Sequence, residues 1–77
     1  MSLIESSQIK AARAMLDWSQ QILADKSGVS LPTIKRIESA GPGRSSLDTI
    51  TAIKTALETA GIIFIPENGG GPGVRLR

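Results

Sequence analysis

Cysteine and histidine are both missing from this 77-residue chain. Their absence excludes disulfide staples, thiolate and imidazole metal sites, and every catalytic scheme that needs a thiol or an imidazole. Tyrosine is missing too, and the aromatic inventory is one tryptophan and one phenylalanine. No apolar run approaches the roughly 20 residues needed to cross a bilayer, so membrane insertion is not expected. The beginning, "MSLIESSQIKAARAM", lacks the charged start and continuous apolar stretch of a secretory signal, which points to a cytoplasmic location. The seven carboxylates are scattered along the chain without forming an acid–base pair, so an enzyme is not the expectation. No cofactor or metal is expected either. Charge is nearly balanced at +2, an excess that permits a polyanionic partner without identifying one. A chain of this length buries a single small core.

The remaining composition is ordinary for a globular domain, and its pattern is helical up to Gly61. Ser6 or Ser7 can cap a first helix over about residues 7–16, with Ile9, Ala12, Met15 and Leu16 at helical spacing and Asp17 at a left-handed exit. Ser19 offers a cap for a short second helix, "QQILADKS", which Gly28 ends. Ser30 caps a third over 31–39, with Pro32 in the first turn, where a missing N–H costs no intrahelical bond. Ser45 with Asp48 three residues on resembles a capping box, and Leu47, Ile50, Ile53 and Leu57 form the apolar stripe of a fourth helix. Then "IIFIP", a glycine-rich bend "NGGGPG" and the alternating "VRLR" predict a terminal hairpin. No Lys-Ser/Thr follows the bend and no helix begins there, so it does not read as a phosphate cradle. Trp18 reads as a core plug between the first two helices. The expected class is mainly α: four helices over residues 1–61 and a C-terminal β-hairpin over 62–77. Both faces of the hairpin's first strand are apolar, so a second surface must cover one: the first and fourth helices, or another copy of the chain.

Two short helices joined by a tight turn form the helix-turn-helix arrangement. Ala24 is small where these helices would cross, Gly28 lies at the turn, and Ile34 and Ile37 supply the buried side of the third helix. Stepping about 100° per residue puts Pro32, Lys35, Arg36 and Ser39 on the opposite face, with Thr33 and Glu38 at its borders. The stretch "WSQQILADKSGVSLPTIKRIE" resembles the Cro/repressor-type helix-turn-helix, the XRE family of bacterial and phage regulators, over residues 8–60. That resemblance implies a Cro/repressor-like fold and binding of double-stranded DNA. It also implies that Gln20 touches the DNA backbone and that Glu38 pairs with Arg13 of the first helix. Ser27 departs from the pattern, which usually has an apolar residue there, and Leu31-Pro32 stand at a tip where phage repressors often carry Gln.

On this reading the third helix lies in the major groove. The fork of Arg36 can grip guanine O6 and N7, Leu31 and Pro32 can pack on a thymine methyl, and Thr33 or Ser30 can reach a base edge or a phosphate. Gln20, Ser30, Arg44 and the N–H groups near Ser46 are phosphate candidates. Lys35 faces phosphate or solvent, and Arg44 reads equally as a solvated loop arginine. Arg75 and Arg77 either touch DNA or keep an edge strand soluble. The expectation is a regulator, most simply a repressor, that acts as a homodimer and associates with the nucleoid when bound. The alternative is an antitoxin-like protein whose segment from Ile62 binds and neutralises a protein partner.

Overall fold

The computed structural model of the protein describes residues 4–43, 45–67 and 69–77. Four helices, α1 (Ser6–Leu16), α2 (Gln20–Ser27), α3 (Leu31–Ala40) and α4 (Leu47–Thr59), precede a hairpin of β1 (Ile62–Ile65) and β2 (Gly73–Leu76).

Each helix starts where a side chain satisfies an orphan backbone group. Ser19 accepts the Ile22 N–H at 3.1 Å, Ser30 the Thr33 N–H at 3.4 Å and Ser46 the Thr49 N–H at 3.1 Å. Two starts differ from the sequence expectation. α1 is capped by Glu5, not Ser6 or Ser7, because Gln8 reaches back to accept the Glu5 N–H at 2.7 Å. α4 is capped by Ser46, not Ser45, whose own N–H is committed to the Pro42 carbonyl at 2.7 Å in the preceding turn. Asp17 takes the left-handed conformation with φ 57° and closes α1, and Gly28 with φ 75° closes α2.

The core gathers Ile9 and Ala12 of α1, Leu23 and Ala24 of α2, Ile34 and Ile37 of α3, Ile50, Ile53 and Leu57 of α4, and Ile62 of β1. Met15 and Leu47, expected on the apolar stripes, are instead 42% and 57% exposed. Both lie roughly 90° from the centre of their helix's buried stripe at 3.6 residues per turn, so spacing to one neighbour misplaces them. Trp18 is half-buried and packs on the core rim. No helix among the described residues is long and apolar enough to cross a membrane.

The hairpin is antiparallel, pairing Ile62 with Leu76, Ile63 with Arg75, Phe64 with Val74 and Ile65 with Gly73. β1 packs on α4 and β2 on α1, which brings Ile62, Phe64 and Val74 onto the core. Alternation then directs Ile63 and Ile65 to the other face, where they are half-buried. Two polar contacts fix the ribbon to the helices: Gln8 Nε2 donates to the Gly73 carbonyl at 3.1 Å, and Arg77 Nη2 donates to the Glu58 carbonyl at 3.1 Å. At the bend, the Glu67 carboxylate accepts the N–H groups of Gly69 and Gly71, each at 3.1 Å.

Candidate nucleic-acid interface

α2 and α3 meet at small and branched residues that set their angle. Ala24 is buried between them, Leu23, Ile34 and Ile37 fill the space beneath, and Val29 and Leu31 lean on the same core from the turn. Ser27 sits at the rim of this packing and takes a polar role. Its hydroxyl donates to the Ala24 carbonyl at 3.4 Å and accepts the Val29 N–H at 3.2 Å. A serine at this position therefore stitches the turn through its backbone instead of adding apolar volume.

A buried ion pair fixes α3 to α1. Arg13 Nε donates to Glu38 Oε2 at 2.6 Å and Arg13 Nη2 to Glu38 Oε1 at 2.7 Å, a bidentate fork. The third arm of the guanidinium donates to the Trp18 carbonyl at 2.9 Å. Glu38 is 4% exposed, and Gln20 Nε2 donates to its Oε1 at 3.2 Å, so the carboxylate is fully engaged despite its burial. Hydrogen bonding to Glu38 raises the Arg13 pKa above its ordinary value; the carboxylate's charge adds to this and burial opposes it. A raised folded-state pKa contributes stability that is complete below the unfolded value and lost only as pH rises through the folded one. For an arginine both lie far above neutrality, so the guanidinium stays charged at any working pH.

The same arrangement orients the outward groups. Pro32, Lys35, Arg36 and Ser39 are exposed on the side of α3 opposite Ile34 and Ile37, whereas Leu31 and Thr33 are half-buried. Arg36 extends toward the start of α4, where Nη2 donates to Ser45 Oγ at 3.5 Å. Lys35 lines a shallow groove with Lys10, Arg13, Gln20, Glu38 and Ser39. Ser30 and Ser46 are exposed, but their hydroxyls are occupied as caps, with Ser30 Oγ donating to Thr33 Oγ1 at 2.8 Å and Ser46 Oγ 2.9 Å from Thr49 Oγ1. Beside these caps, the N–H groups of Gln20 and Gln21 open α2 and those of Leu47 and Asp48 open α4, ahead of any intrahelical acceptor. Arg44 lies outside the described residues.

The structure brings Gln20, Lys35, Arg13 and Glu38 to one groove and Arg36 to the adjoining turn before α4. Sequence reading passed over Lys10, which joins Lys35 on that groove from α1. Its signal was its place three residues ahead of Arg13, on the same side of the helix. Arg77 stands elsewhere, at the carboxyl end of α4.

Against known proteins, a family model described as helix-turn-helix matches residues 9–60, more than half of the chain. No curated protein gives a significant match. The chain belongs to the XRE, or Cro/repressor-type, helix-turn-helix family of DNA-binding regulators.

Proposed function

We propose that this helix-turn-helix protein is a sequence-specific repressor that binds double-stranded DNA as a homodimer, with α3 in the major groove of each half-site. The observation that carries the reading is the outward face of α3, where exposed Arg36 reaches Ser45 just ahead of α4 and exposed Lys35 borders the groove that Gln20 of α2 also lines. Helix amino termini attract anions, so the opening turns of α2 and α4 suit the phosphates on either side of a groove. Arg36 grips guanine O6 and N7, a contact that contributes roughly 1–3 kcal/mol of discrimination. Gln20, Lys35 and Lys10 hold the backbone, which sets register without reading sequence. Glu38 keeps one Gln20 N–H occupied and so aims the rest of that amide.

A homodimer places two such helices on half-sites one helical turn, about 34 Å, apart. Ile63 and Ile65, turned away from the core, form the apolar face of the hairpin on which a second copy would rest. The protein acts in the cytoplasm, on nucleoid DNA.

Selecting bound duplexes from a random-sequence pool at near-physiological salt, in parallel with Arg36→Ala, tests this. The native chain is expected to enrich an inverted repeat, and the variant to lose preference at one base pair in each half-site. Weak binding that enriches no motif and is erased by salt would leave only phosphate attraction and overturn the regulator reading. A protein that copurifies in a fixed ratio through the hairpin would favour the antitoxin-like alternative.

A further inference from the structure

We infer that the bases of each half-site are read by two side chains of α3, the Pro32 ring against a thymine methyl and the Arg36 guanidinium against a guanine about two base pairs away. The inference rests on the major-groove reading above and narrows it. Pro32 and Arg36 are both exposed and stand four residues apart, hence on one face of the helix. Four residues advance about 6 Å along a helix, and successive base pairs are about 3.4 Å apart. A helix lying along the groove therefore delivers its two contacts about two base pairs apart.

The other candidates on α3 are already engaged. Leu31 is half-buried and leans on the core. The Ser30 hydroxyl receives the Thr33 N–H at 3.4 Å and gives its proton to Thr33 Oγ1 at 2.8 Å, which holds both side chains in the cap. Ser39 turns its hydroxyl back to the Arg36 carbonyl at 3.2 Å. Lys35 lies over the groove shared with Lys10 and Gln20, on the flank nearest α1. By contrast, among the described residues Arg36 makes one long side-chain hydrogen bond, with Ser45 at 3.5 Å, and its fork is available.

The tip of α3 is therefore carbon. Pro32 has no N–H to donate, and its ring meets whatever the base edge presents. A thymine offers a methyl, whose burial is favourable. A cytosine at the same place lacks that methyl, so its edge gains less by packing on the ring. Preference for thymine thus comes from burial of the methyl, because the ring serves neither thymine O4 nor cytosine N4.

The test replaces each thymine of the selected operator with uracil, which deletes only the methyl group and leaves the protein untouched. One position per half-site is expected to weaken native binding by about fourfold, the value of one buried carbon. In Pro32→Ala the same replacement should have a smaller effect, and Thr33→Val should select an unchanged motif. The guanine lost by Arg36→Ala should fall about two base pairs from the sensitive thymine. Uracil tolerated at every position would overturn the inference while leaving the regulator reading intact, as would full sensitivity in Pro32→Ala or a changed motif with Thr33→Val. A pool that yields no motif sinks both.

Discussion

Arg13 and Gln8 both leave α1 to reach an element far along the chain, but one seam is closed by charge and the other by a neutral amide. Arg13 grips Glu38 of α3, 25 residues on; Gln8 reaches the Gly73 carbonyl at the start of β2, 65 residues on. The charged seam holds the helix proposed to face DNA, and the neutral seam holds the hairpin. Their vulnerabilities differ accordingly. A buried carboxylate that loses its guanidinium keeps its charge without compensation, whereas a carbonyl that loses an amide misses one ordinary hydrogen bond.

The largest expected effect follows from that difference. Arg13→Ala should cost about 3–5 kcal/mol, because the buried Glu38 carboxylate loses its guanidinium and keeps, among the described residues, Gln20 as its donor. Small domains have total stabilities near the low end of about 5–15 kcal/mol, so a stability of about 5 would fall to about 0–2 kcal/mol and the variant's urea midpoint should drop sharply. Glu38→Ala should cost less, since the Arg13 side chain is 19% exposed and its head can turn toward water. An Arg13→Met, Glu38→Leu double variant should recover most of the loss, as apolar replacement of a buried pair often does. Urea unfolding of the three chains measures the order. A loss below about 1 kcal/mol for Arg13→Ala would place the pair among exposed salt bridges and dissolve the contrast.

Gln8→Ala comes next, at about 1–3 kcal/mol, because both the Glu5 N–H and the Gly73 carbonyl lose their partner. Its signature should be local. Hydrogen exchange is expected to rise at Phe64 and Val74 while Leu23 and Ile34 stay protected, whereas Arg13→Ala accelerates exchange throughout. A uniform rise with Gln8→Ala would show that the two seams open as one unit.

How far each seam was legible in the sequence depends on how local its logic is. Caps at Ser19 and Ser30, the stop at Gly28 and the outward set of Pro32, Lys35, Arg36 and Ser39 follow from rules that span a few residues, and the helices and hairpin lie where those rules put them. The positions of Arg13 and Glu38 came from family resemblance, since nothing local joins residues 25 apart. Gln8 was half legible: it stands three residues after Glu5, as a capping box requires, but its reach to Gly73 exists only once the hairpin has folded back. Met15 and Leu47 were misplaced because one apolar neighbour at helical spacing does not locate the centre of a stripe. Lys10 was missed because its groove is formed by three helices at once.

The smallest expected effect separates the two ends of the molecule by charge alone. Lys35→Ala and Arg77→Ala each remove one cation from a chain of net charge +2, so their effect on overall attraction to a polyanion is the same. Their positions differ. Lys35 borders the groove beside Gln20, whereas Arg77 donates to the Glu58 carbonyl at the far end of α4. α4 has 13 residues and is about 20 Å long, more than twice the screening length of about 8 Å at physiological salt. Lys35→Ala should therefore lower the slope of log affinity against log salt by about 1, and Arg77→Ala should leave it unchanged. What Arg77→Ala loses is a cation on the last carbonyls of a helix, worth about 0.3–1 kcal/mol of stability. Binding titrations over a range of salt, with thermal melts of the same chains, check both halves. A slope that falls equally for the two variants would mean that DNA reaches the hairpin end, and that the neutral seam also supports the binding surface.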